Sequence, residues 1–218
     1  MLFRLFCFLI IQAASSGALL HAGPSVMLDP AGHAKNTGCM LNKGYERAET
    51  YKCAEVLKSR LEQLNIKTLL TRAPGEVIVH PLQNASFANR VNANLFIQLH
   101  FVKATDRPTI TVHHLMFDPV LDNAQRAKRK LEFTPIHEAH FRNIDTTKNF
   151  ATSLLKTYKS ALTATSWHVT KKPLGLPLKP LTGICCPAII IEAELTQDDQ
   201  WQDLVEPLLQ AIIAEVKP

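Results

Sequence analysis

Apolar positions in this chain follow two periods. Across residues 45–64, Tyr51, Ala54, Leu57, Leu61 and Leu64 are spaced by three and four, with Lys52, Glu55, Lys58 and Glu62 on the other face, which predicts an amphipathic helix. Short apolar runs at 26–28, 66–71, 95–101, 109–117 and 188–195 read as strands, the first ending in Asp29 and Pro30. Between them come a short helix at 85–91 and a longer one with Phe150, Leu154, Tyr158 and Leu162 on one face. A last helix carries Trp201, Leu204, Leu208, Leu209, Ile212 and Val216, its stripe interrupted at Pro207. Strands alternating with helices predict an α/β fold: a single domain with a central mixed, mostly parallel sheet flanked by helices on both faces. Residues 118–147, with Arg126, Lys128, Arg129 and Lys130, read as a basic excursion, part helix and part loop, and the proline-rich 171–180 as an extended loop. No repeat or linker marks a second domain.

The length of 218 residues and the balance of 46% hydrophobic to 20% charged residues suit one folded domain. Residues 1–22, MLFRLFCFLIIQAASSGALLHA, have the layout of a secretory signal peptide, with cleavage expected after Ala18 or Ala22 and the domain running over 23–218. The chain is therefore expected in the periplasm, the cell envelope or outside the cell, with an uncleaved N-terminal anchor as the alternative. A bilayer span needs about 20 apolar residues, and no later segment supplies them, so no transmembrane segment is expected in the mature chain. The net charge of +5 falls by one without Arg4; it suits an anionic polymer, but no dense basic block or nucleic-acid motif accompanies it. Cys39, Cys53, Cys185 and Cys186 contain no CxxC pair, and buried free thiols are favoured, with pairing left open.

Two histidines end predicted strands, His33 after VMLDP and His100 in LFIQLH, and the ends of neighbouring strands converge in space. Glu46 opens the first helix, and Glu192 interrupts the apolar run PAIIIEAEL, where a carboxylate needs a partner. One assembly accounts for all four: His33, Glu46 and His100 as zinc ligands with water in the fourth position, and Glu192 as general base. Spacing alone leaves other combinations of the nine histidines open.

The motifs around these residues resemble the zinc-dependent N-acetylmuramoyl-L-alanine amidases, over essentially the whole span from Val26 to Val216. VMLDPAGHAKNTG is similar to the family's DPGHGG-like motif through Asp29, Pro30, Gly32, His33 and Gly38. Gly44, Glu46 and the helix to Leu64, followed by Leu70, Thr71 and Arg72, match the second motif. Ala88 and Asn89 with NLFIQLHF match the third, and PAIIIEAEL the last. The resemblance implies one zinc per chain on His33, Glu46 and His100, with Glu192 as catalytic carboxylate. It implies hydrolysis of the amide between N-acetylmuramic acid and L-alanine in peptidoglycan, with a regulatory protein partner in some members and an insertion near 118–147 that covers the metal. Asp29 is a candidate to support the histidine ligands.

Departures from the pattern are Ala31, inserted before Gly32, and Asn94, Phe101, Val102 and Glu194 at positions with other residues in the family; none removes a proposed ligand or base. Glu194, on the same strand face, rivals Glu192. His137, Glu138 and His140 form HEAH, not HExxH, and read as a solvated loop. His113 and His114 alternate on a strand and cannot both face one metal. Two other functions remain open: a catalytically silent amidase-like domain that binds wall or activates an enzyme, and a zinc peptidase acting on stem peptides.

Overall fold

A computed structural model describes residues 23–74, 80–116, 136–162 and 166–217. Seven strands form one sheet: β1 (Ser25–Pro30), β2 (Lys67–Leu70), β3 (Leu95–Lys103), β4 (Thr109–Leu115), β5 (His168–Val169), β6 (Leu174–Leu176) and β7 (Ala188–Leu195). Their order is β2-β1-β3-β7-β4-β5, with β6 also paired to β4. Every pairing is parallel except β4 on β7. Among the described residues the helices are α1 (Glu46–Gln63), α2 (Pro81–Arg90), α3 (Ile144–Ala161) and α4 (Gln202–Val216). The expected α/β domain with a mixed, mostly parallel sheet is what the chain forms.

Successive residues of a strand point to opposite faces, and the core divides accordingly. Val26, Leu28, Ile97, Leu99, Phe101, Ile189 and Ile191 join one cluster with Leu57 and Leu61 of α1, Phe150 and Leu154 of α3, and Leu204 and Leu208 of α4. Burying each such side chain contributes about 1.5–3 kcal/mol, which makes this three-helix face the main source of stability. The opposite face is thinner: Met27, Phe96 and Ile190 pack with Ala85 and Ala88 of α2 and with Leu181 and Ile184. Further along the strands this second face turns polar, with Asp29, Gln98, His100, Glu192 and His113 at positions of the same parity.

Two expectations need correction. The proline-rich 171–180 includes β6, parallel to β4; three residues between Pro173 and Pro177 are too few to show a period, and prolines are tolerated at a sheet edge. HEAH is not a solvated loop: it lies in a 3-10 helix (Ile136–Asn143) where Ala139 and His140 are buried and the His140 ring lies 4.1 Å from that of Phe141. The last helix forms as expected and runs through Pro207, whose lost backbone hydrogen bond the buried stripe of Leu204, Leu208 and Ile212 outweighs. The expected signal segment at 1–22 and most of the basic excursion, 117–135, lie outside the described residues. No described helix is long and apolar enough to cross a membrane.

Candidate active site

The loop after β1 carries His33 and is tied down at both ends. Ala31 N–H donates to the Leu99 carbonyl at 3.0 Å, extending the β1–β3 ladder, and His33 and Asn36 exchange backbone hydrogen bonds of 2.7 and 3.1 Å across a tight turn. Arg72, just after β2, donates from Nε to the Pro30 carbonyl at 3.0 Å and from Nη2 to those of Ala31 at 3.1 Å and Arg47 at 2.9 Å. One buried guanidinium thus joins the His33 loop to the first turn of α1.

That first turn sets Glu46. Its N–H donates to the Cys39 carbonyl at 2.9 Å and that of Arg47 to Thr37 at 3.0 Å, so the preceding loop satisfies donors that a helix start otherwise leaves free. Gly38 sits at φ +74°, and a Cβ there would come within 2.9 Å of Glu46 Cβ; only glycine admits the loop this close. The Glu46 carboxylate is 3% exposed and held from three sides: Oε1 accepts from Phe101 N–H at 3.1 Å, Oε2 from Cys39 N–H at 3.0 Å, and His100 Nδ1 lies 2.8 Å from Oε1. Burial lowers the His100 pKa, but the Glu46 carboxylate bonded to it, with Asp29 and Glu192 nearby, outweighs burial and holds it above the ordinary histidine value. The corner is built to favour positive charge.

Parallel pairing of β3 and β7 puts Glu192 directly beside His100, whereas Glu194 stands beside Val102. Glu192 is not buried as its apolar run suggested; its side chain is 40% exposed toward the end of β7. The His113 imidazole across β4 holds the Glu192 carboxyl below the usual range, burial acts against this, and His100 adds to it. The Asp29 oxygens accept from Thr71 Oγ1 at 2.5 Å and Gln98 Nε2 at 2.6 Å, burial raises its pKa, and it acts on His100 through charge rather than through a hydrogen bond.

His33 and His100 line one cavity of about 290 Å³, with Asp29, Gln98, Asn84 and Arg72 in its wall. A larger hollow of about 750 Å³ around Asn42, Lys43, Glu49 and Asp198 contains none of the four predicted residues. Two imidazoles and a carboxylate are a donor set that suits zinc, and two of the three, His100 and Glu46, already lie within hydrogen-bond distance of each other at 2.8 Å. Among the described residues no three His, Cys, Asp or Glu side chains already converge on one point; His100 and Glu46 are in contact, and His33 shares the cavity wall with His100. The donor types suit the metal, while the described side chains do not by themselves form a three-ligand site.

Sequence reasoning missed Cys39, Gln98 and His113 as neighbours of this site. Cys39 feels both Glu46 and Glu192, which with burial raise its thiol pKa, and it is exposed rather than buried as expected. Cys53 is buried, Cys185 and Cys186 are half-buried, and all four are unpaired in the structure. For His113 the usable signal was the alternation with His114 itself, since one of the two had to share a face with Glu192.

No curated protein matches the chain. Solved structures do. The amidase AmiC2 of Nostoc punctiforme is 15% identical with a TM-score of 0.64, over 89% of this chain and 98% of that one. An N-acetylmuramoyl-L-alanine amidase from Clostridium difficile 630 is 17% identical with a TM-score of 0.62, over 88% and 96%. The CwlD amidase of Clostridioides difficile, solved in complex with the GerS lipoprotein, is 15% identical with a TM-score of 0.56, over 88% and 93%. At such identities these matches speak for the fold. The family model described as N-acetylmuramoyl-L-alanine amidase matches residues 26–216, from β1 through α4, and by that match the chain belongs to the N-acetylmuramoyl-L-alanine amidase family.

Proposed function

We propose that this chain hydrolyses the amide joining the lactyl group of N-acetylmuramic acid to the L-alanine of the stem peptide, with one zinc held by His33, Glu46 and His100 and with Glu192 as general base. The observation that carries the reading is the union of a family match over residues 26–216 with a β3–β7 register that sets Glu192 beside the His100–Glu46 pair. A zinc ion held by this set supplies Lewis acidity toward the scissile carbonyl and toward water. The protein's own part follows from its geometry. Glu46, fixed by the Phe101 and Cys39 amides, holds His100 in place and balances charge. Glu192, ionised and open to solvent at the strand end, takes a proton from the attacking water and passes it to the departing alanine nitrogen.

Membership of a cell-wall amidase family together with the signal-like residues 1–22 supports export and action in the cell envelope. The structural likeness to CwlD, solved with a lipoprotein, supports a protein partner for this chain as well. The test is to incubate the purified protein with zinc and isolated sacculi and to analyse the released material by mass spectrometry. Free stem peptides beginning with L-alanine are expected. Cleavage within the stem peptide would replace this reading with a peptidase, and absence of release from zinc-loaded protein would leave a silent wall-binding domain.

A further inference from the structure

The two glutamates of the site are held very differently. Glu46 has two backbone amides and an imidazole on its carboxylate. Among the described residues Glu192 has no such amide contact; across the sheet His113 Nε2 lies 3.9 Å from its Oε1. That separation is an ion-pair contact about 1 Å longer than a hydrogen bond.

His113 is otherwise hard to explain. It is 8% exposed, and neither ring nitrogen has a hydrogen-bond partner among the described residues. A buried imidazole with both nitrogens unsatisfied is costly, and phenylalanine or leucine would fill the same space without that cost. The antiparallel register gives the missing reason. Thr111 stands opposite Glu192 and His113 opposite Ile190, so His113 shares the Glu192 face one step deeper, between the carboxylate and the apolar floor formed by Ile190 and Leu115. His114 points to the other face, where its Nδ1 lies 3.2 Å from the Leu115 carbonyl, and takes no part.

We propose that His113 is a positioning residue for Glu192: a small rotation lets Nε2–H donate to Oε1 and fixes the carboxylate in the rotamer that the base needs. Glu192 lacks the backbone amides that hold Glu46, and His113 is the donor placed to restrain it. The inference rests on Glu192 serving as the base, while the contact itself can be tested without any activity.

The first measurement is nitrogen NMR of the full mature chain labelled at histidine. The His113 Nε2 resonance is expected to shift on Glu192→Gln and to stay in place on Glu194→Gln; no shift with Glu192→Gln overturns the contact whatever the enzyme does. The second is kinetics on a soluble muropeptide. His113→Phe is expected to lower kcat by about 10- to 100-fold, in line with loss of an outer partner, with KM nearly unchanged, and His113→Gln to recover most of the loss by replacing the donor. Equal losses in both variants that follow their melting temperatures would make His113 a packing residue and overturn the proposal. Failure of the unaltered protein to cleave would sink the amidase reading and leave the NMR result to decide the contact.

Discussion

The two faces of the sheet are made by the same strands yet do different work. On β3, Leu99 and Phe101 enter the cluster under α1, α3 and α4, while His100 between them faces the cavity. On β7, Ile191 and Ala193 do the same on either side of Glu192. Among the described residues the closed face has a continuous apolar layer and three helices, while the other packs on α2 and on Leu181 and Ile184. Stability and chemistry are therefore separated by a single residue step, and neighbouring substitutions should have unlike consequences.

The largest effect is expected from His100→Ala. Zinc content by elemental analysis and wall hydrolysis should both vanish, while the melting temperature moves little; a variant that keeps full zinc would remove His100 from the ligand set. Next comes Glu192→Gln, which should keep its zinc and lower hydrolysis by about 10²–10⁴-fold, as loss of a general base does, with Glu194→Gln close to unaltered. If the two glutamates exchange these outcomes, the strand register has been misassigned to the chemistry. Ile191→Ala, one residue away but on the closed face, should instead cost about 2–5 kcal/mol in denaturant unfolding while the folded fraction keeps its kcat. A drop in kcat there would show that the faces are coupled. The smallest effect belongs to Arg60→Ala: its 2.5 Å pair with Glu206 joins α1 to α4 on the outside of the closed face, and an exposed pair contributes below about 1 kcal/mol. A larger loss would mean that the surface, and not the apolar layer, clamps the helices.

Much of this division is readable in the residues. The three-four spacing of Leu57 and Leu61 and the alternation in LFIQLH announce which positions are apolar, and Glu192 stands out as a carboxylate in an apolar run. Period alone does not reveal what depends on partners brought from far along the chain. β6 has three residues and exists as a strand only because His113–Leu115 lies alongside it. Asp29 looks like a hydrogen-bonded support for a histidine, but Thr71 and Gln98, from β2's end and β3, reach its oxygens first. His140 is buried although HEAH reads as polar, because the 3-10 turn directs it inward. His113 has no meaning until the antiparallel register of β4 on β7 is known.

That reversed strand also sets where the polypeptide leaves the sheet. Thr109 pairs with Glu194 and His114 with Ile189, so β4 runs opposite to β7 and ends at Leu115, four residues or about 13 Å along the sheet from Thr111, which stands opposite Glu192. In a sheet with only parallel neighbours the exit would open at the mouth, and any segment added there would crowd the carboxylate. Here the point of attachment is at the back, with the Met116 amide secured to the Leu176 carbonyl at 2.9 Å. The end of β4 is thus held on the side of the sheet away from the strand ends that carry His100 and Glu192.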